Sequence, residues 1–216
     1  MWNTLICLNL DTFYPALAIQ VGLQCDILCA TLDRLHEFVT VSGQLHHVDE
    51  GLRISPRSLK FSNEMRKNLL VCIKHHQHII AMSSEIEDIY RKSCFALIIG
   101  GVFVICTSLL QLSIARVGSL AYLTNLFYLI CMNTEQFVYC WFGNEIIVKS
   151  SRIYRSIYNT PWIDCDVKYR RLLIQMMGQA RRGINQRAGG IISLSTGTYA
   201  AVLRTSYSYF TVLRQI

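Results

Sequence analysis

Histidines are the first residues to weigh for chemistry. The chain has six, and five fall into two close groups, His46-His47 and His75-His76-Gln-His78. Paired histidines suit zinc, and membrane desaturases hold two irons with several histidine boxes. Adjacent side chains on a helix diverge by about 100°, however, so His75 and His76 do not converge easily on one ion. No HxxHH box occurs, and the sequence gives no reason to expect a metal or a cofactor. A GxSxG elbow, a P-loop and a GxGxxG turn are all missing, so no catalytic residue is assigned and an enzyme is not expected. Glu135 lies near the middle of an apolar stretch, where an ionisable group is a functional candidate. An interhelical hydrogen bond to Ser, Tyr or Asn accounts for it equally well.

The other chemical pattern is a polar stripe near the end of the chain. In Ile191 to Ile216, the residues Ser195, Thr198, Val202, Thr205 and Tyr209 fall at i, i+3, i+7, i+10 and i+14, one face of a helix. The stretch is long enough to cross a bilayer, since roughly 20 helical residues span the hydrocarbon. It is also too polar to face lipid all round, and Arg204 sits well inside it. A charge at that depth costs about 2.5 to 3.5 kcal/mol unless it faces protein or water. Spacing alone leaves two readings. One is a helix lining a wet path; the other is an ordinary bundle helix whose Ser and Thr bond back to carbonyls four residues earlier.

The elements that must position this stripe read as membrane helices. Of 216 residues, 52% are hydrophobic and only 16% charged, against about 25% charged in soluble domains. Four spans are expected, at about 4–32, 94–115, 120–148 and 191–213. The first is interrupted by Asp11 and Asp26. The second, Cys94 to Ala115, has no charge and matches the ~30 Å hydrocarbon core at ~1.5 Å per residue. Only Arg116 to Ser119 separate it from the third, which forces an antiparallel pair and continues toward Tyr158. Ser62 to Tyr90 has helical apolar spacing at Leu69, Ile73, Ile80 and Ile86. Val167 to Arg182 is helical too, with Leu172, Leu173, Met176 and Met177 on an apolar side. Gly189-Gly190 predicts a break before the last helix. No repeat or linker divides the chain, so residues 1–216 read as one unit.

The net charge of +7 comes largely from two basic stretches, 33–93 and 149–187. They carry no aromatic-interleaved patch or nucleic-acid motif, so nucleic acid is not an expected partner. Positive residues gather on the cytoplasmic side of membrane proteins, which puts both stretches inside and both chain ends outside. The nine cysteines include no CxxC pair, and most are expected to be reduced, small apolar residues. Apolar residues follow Met1 at once with no basic run or cleavage site, so a signal peptide is not expected there.

The wording of several segments, in order, resembles one family. These are Thr134-Glu-Gln-Phe-Val-Tyr-Cys-Trp-Phe-Gly-Asn-Glu-Ile146, then Ser150-Ser151 with Tyr154, then Asn159-Thr-Pro-Trp162. After them come the Leu-Leu-Ile-Gln-Met-Met-Gly-Gln-Ala-Arg-Arg run to Arg182 and the Leu194 to Leu203 segment. The ending is Ser206-Tyr-Ser-Tyr-Phe210-Thr-Val-Leu213. Together they resemble the last third of insect odorant receptors, and less sharply the last four of that family's seven spans back to Met1. The resemblance implies an all-α membrane protein of four transmembrane helices with long cytoplasmic helical extensions, the C-terminal part of a seven-helix channel subunit. It implies a non-selective cation channel gated by small, volatile, hydrophobic odorants, working as a heterotetramer with the family's shared co-receptor. The place is the plasma membrane of olfactory neurons.

Carried over by motif, the resemblance puts an apolar gate at Val212 with Gln215 three positions on. Ser195, Thr198 and Thr205 would line the path. A ring of apolar side chains blocks ions by dewetting. Arg214, between gate and glutamine, departs from the pattern and must point away from the pore. The cytoplasmic anchor joining subunits would fall to Leu69–Tyr90, Gly143–Tyr158 and Val167–Arg182. An odorant pocket would draw on Phe13, Leu17, Tyr122, Asn125 and Leu129, though ordinary core packing explains each. Three of the family's spans have no counterpart here, as in a truncated or partial form, and a bundle without them does not close that pocket. Rival readings are a gustatory receptor channel subunit, a non-channel four-span scaffold, and a membrane enzyme.

Overall fold

The computed structural model describes residues 2–35, 56–160, 162 and 165–215, with side chains from residue 12 in the first helix and from 63 in the second. Among the described residues five helices carry the fold: α1 (Trp2–Asp33), α2 (Pro56–Ile114), α3 (Leu120–Tyr158), α4 (Val167–Ala180) and α5 (Thr196–Gln215). A two-stranded antiparallel hairpin, β1 (Arg187–Ala188) and β2 (Ile192–Ser193), precedes α5. The helical class expected from the sequence is the one observed.

Helix boundaries follow local chemistry. α2 ends at Ile114, and Gly118, at φ +86°, turns the chain into α3. That backbone region favours glycine because it carries no Cβ. The Ser119 hydroxyl then accepts the Tyr122 N–H at 3.1 Å, capping α3. α4 starts where the Asp166 carboxylate accepts the Val167 N–H at 2.7 Å.

Contacts group the chain into two compact units, each with its own core. The first comprises 1–20, 83–146 and 185–216. Its part of α2 buries Ile86, Tyr90, Cys94, Ile98 and Ile105, four or seven residues apart on one face. Tyr14, Ala18, Tyr139, Cys140, Ile146 and Leu194 complete that core. The second comprises 21–82 and 147–184. There Val21, Cys25, Leu28 and Leu32 of α1 are buried, as are Met65, Leu69, Cys72, His76 and Ile79 of α2. Ile153 and Ile157 of α3 and Tyr169, Leu173 and Met176 of α4 close it.

The face of α2 differs in detail from the one the sequence suggests. Leu69 and Ile86 are buried, but Ile80 is exposed and Ile73 only half-buried. Cys72, His76 and Ile79 take the inward positions instead. A histidine and a cysteine do not register as apolar in a pattern, so the stripe is read one step round the helix.

Among the described residues two helices are long and apolar enough to cross a membrane, Thr12–Asp33 and Asn63–Ile114. Among the described residues α3 and α5 fall below that level. In α3 the cause is Asn125, Asn133, Glu135 and Gln136, and in α5 it is the Ser, Thr and Arg content. Such helices suit a membrane only where their polar side chains meet protein or water.

Candidate functional site: the closing helix and the hairpin before it

α5 begins at Thr196, not at Ile191. The reason is backbone chemistry. Gly189 and Gly190 take φ of +64° and +77°, which reverses the chain and allows Arg187 to pair with Ser193 and Ala188 with Ile192. Ser195 is therefore the cap of α5, its hydroxyl accepting the Thr198 N–H at 3.2 Å. Thr198 is half-buried and its hydroxyl donates to the Ser193 carbonyl. Both polar groups secure the helix start.

Farther along, α5 buries one narrow face and leaves most of the rest exposed, Arg204, Tyr207, Tyr209, Leu213 and Arg214 included. Val202 and Ser206 are buried, and the Ser206 hydroxyl bonds back to the Val202 carbonyl at 2.8 Å. Ala201, Thr205, Ser208, Val212 and Gln215 are exposed. At ~100° per residue these five form one stripe, centred roughly 120° round the helix from the buried pair. Val212 is 55% exposed there. The stripe thus contains Thr205, Val212 and Gln215 of the expected lining set, but Val202 of the expected face turns inward and Tyr209 lies between the two. Arg214 follows Val212 by two positions, about 200° round, and points away from the stripe.

The hairpin seats α5 on three other helices. The Tyr14 hydroxyl of α1 donates to Gln186 Oε1 at 2.7 Å. The Gly189 N–H donates to the Arg91 carbonyl of α2 at 2.9 Å. Gly143 of α3 lies so close to Leu194 that a Cβ there would stand 2.6 Å from the Leu194 carbonyl oxygen. Neither Tyr14 nor Gln186 stands out in the sequence. The first carries no periodic signal beyond its core position, and the second sits in an irregular Asn-Gln-Arg run.

The five residues expected around an odorant lie at the surface or half-buried. Phe13 is 61% exposed, while Leu17, Tyr122, Asn125 and Leu129 are half-buried. The larger cavity described, ≈430 Å3, opens elsewhere, between Thr31 and Leu35 of α1 and Glu64, Lys67, Val71 and Cys72 of α2.

The histidines split apart. His75 bonds Gln24 Oε1 through Nε2 at 2.8 Å, His76 is buried and His78 is exposed. Burial, and then a neighbouring histidine, hold His75 and His76 below the usual imidazole range. His46 and His47 lie outside the described residues. Among the described residues no three His, Cys, Asp or Glu side chains gather as a metal set. Glu135 is half-buried and engaged within the fold.

Known proteins resemble the whole chain. A family model described as 7tm Odorant receptor matches residues 1–207. Odorant receptor Or1 of Anopheles gambiae is 24% identical over 212 residues, covering 95% of this chain and 51% of its own length. Odorant receptor 46a, isoform A, of Drosophila melanogaster is 22% identical over 214 residues, covering 97% and 50%. The chain thus spans about half the length of the curated relatives it matches. The structure of olfactory receptor OR5 from Machilis hrabei in complex with eugenol superposes with a TM-score of 0.64 at 12% identity, covering 98% of this chain and 69% of that one.

Proposed function

Since the chain belongs to the odorant receptor family, we propose that it is a subunit of an odorant-gated, non-selective cation channel acting with the family's shared co-receptor. The observation that carries this is the exposed stripe Ala201, Thr205, Ser208, Val212 and Gln215. Small and hydroxyl side chains on an outward face gain nothing from lipid, whereas they suit a helix that borders water. Four such helices around an axis place four Val212 side chains in a dewetting ring with Gln215 beyond it. Thr198 and Ser195 stand at the base of that path, with Ser195 doubling as the cap. Arg214, about 200° round from Val212, leaves the gate end of the stripe clear of positive charge, as cation passage needs. The reading places the chain in the plasma membrane of olfactory neurons with its C-terminus outside, and its ligand is a small volatile hydrophobic molecule. Phe13, Leu17, Tyr122, Asn125 and Leu129 belong to that ligand's surroundings once further helices cover them.

The test is electrophysiological. Co-expressed with the co-receptor, the chain gives odorant-evoked cation current, and Val212→Ala raises leak or alters block. Expressed without the co-receptor, it gives none, because the pore needs helices from the partner subunits. Current unchanged by Val212→Ala rejects the gate, and a robust response from the chain alone rejects the need for a co-assembled partner.

A further inference from the structure

The stripe leaves one buried polar contact without a role. Tyr14 and Gln186 are 0% and 1% exposed and are joined by a 2.7 Å hydrogen bond across 172 residues of chain. The Tyr14 ring has little freedom: it stacks on Tyr139 with centroids 4.8 Å apart and meets Tyr90 edge-on at 5.3 Å. Such packing aims the hydroxyl rather than letting it search. Gln186 in turn accepts the Leu194 N–H on its carbonyl at 2.9 Å, one residue before the cap of α5. Its Nε2 has no hydrogen-bond partner among the described residues. Among the described residues the phenol is therefore the one hydrogen-bond partner of this side chain.

We propose that Tyr14 is a positioning residue for the channel helix: through Gln186 its hydroxyl fixes the hairpin from which α5 starts, and so ties α1 to the gate-bearing stripe. The proposal rests on the channel reading above. Tyr14 follows Phe13 and lies one turn before Leu17, the part of α1 assigned to the ligand's surroundings. A shift of α1 at those residues moves the phenol, and the phenol moves the base of α5. The anchors at Arg91 and Gly143 reach it through backbone, and the Phe95 ring packs on Gly189. The Tyr14 link is the one that a single hydroxyl deletion removes without altering shape. Without the donor, Gln186 is left buried with neither amide atom paired, an arrangement folded chains avoid.

Tyr14→Phe keeps the ring and its stack and deletes only the donor. Gln186→Met removes the amide at similar length. Hydrogen exchange on the full chain in detergent reads the hairpin directly. In Tyr14→Phe, protection of the Leu194 and Gly189 amides falls about tenfold while α4 amides keep theirs. In Tyr14→Phe/Gln186→Met, which removes the link and the orphaned amide together, the loss remains; protection restored there would trace it to the orphaned amide and overturn the proposal. In parallel, Tyr14→Phe with the co-receptor shifts the odorant concentration for half-maximal current by several-fold and leaves cation selectivity unchanged. Hairpin protection equal to the unaltered chain overturns the proposal, as does a loss spread evenly over every helix. Loosened hairpin amides with unaltered currents overturn the link to the gate. If the unaltered chain with the co-receptor carries no current, the channel reading has failed, and the exchange result still decides whether Tyr14 positions the hairpin.

Discussion

Gly143→Ala is expected to destabilise the chain, although alanine is the better helix former. Gly143 lies inside α3, where the exchange by itself gains about 1 kcal/mol. Against that, the new Cβ would stand 2.6 Å from both the Leu194 carbonyl oxygen and its Cβ, and 3.2 Å from the carbonyl carbon. Non-bonded carbons settle at about 3.5–4.0 Å, so roughly 1 Å of movement is required. Leu194 cannot supply it cheaply, because it is 2% exposed and its N–H is bound to Gln186. Forcing a methyl into such a site costs about 1–3 kcal/mol, and backbone overlap belongs at the upper end. The net is a loss of about 1–2 kcal/mol, or roughly 3–6 °C in the melting temperature for a chain of this size. Heating the detergent-solubilised protein and following the folded peak by size exclusion measures it. Gly178→Ala is the control: it lies in α4 with nothing within 4 Å of its would-be Cβ, and should raise the melting temperature slightly. A Gly143→Ala chain as stable as the original would refute the close approach of α3 to the hairpin.

Three further outcomes follow from the second unit. His76 has its pKa lowered from the ordinary 6.5, by burial first and then by His75, so the unfolded chain takes the proton more readily. Stability is therefore expected to be full above about pH 6.5 and to decline as pH falls from there; His76→Phe should flatten the profile of melting temperature against pH, and an unchanged slope would count against the burial. Lys149 reaches Asp26 at 2.7 Å, with its stem lying where Gly22 leaves room. A double-mutant cycle with Asp26→Asn and Lys149→Met should give a coupling of about 0.5–1 kcal/mol that shrinks in high salt, and a zero coupling would show the pair to be idle. Burial pushes the Cys72 thiol up to about 11, so iodoacetamide at pH 8 should leave it unmodified until the chain is denatured. Labelling at the rate of a free thiol would contradict its place in the core.

The sequence is most legible where the pattern is long. The uncharged run of α2, the four-residue turn at Arg116 to Ser119 and the ordered motifs from Thr134 onward point to an all-helical chain of this family. The details that depend on long-range partners do not show. Nothing local announces that Tyr14 will meet Gln186, since the two are 172 residues apart. The paired glycines at 189 and 190 signal a break, but not that Arg187 and Ser193 will pair across it. That pairing moves the helix start and gives Ser195 the work of a cap. On α5 a 3.5-residue spacing fits Ser195, Thr198, Val202, Thr205 and Tyr209 onto one line, yet the observed faces follow the contacts of Val202 and Ser206. Periodicity fixes which residues share a face, but tertiary packing decides which way that face looks.

The stacked pair Tyr14 and Tyr139, with ring planes within 12° of parallel, also makes the molecule its own optical probe. Two phenols held face to face are coupled chromophores, so their near-ultraviolet dichroism depends on mutual orientation rather than on exposure. Substituting phenylalanine at position 14 keeps the contact but removes one absorber, while a disturbance that merely tilts the rings changes the band without any substitution. The light-absorbing groups that report on the seat of the last helix are thus already built into it, and no attached dye is needed to watch it move.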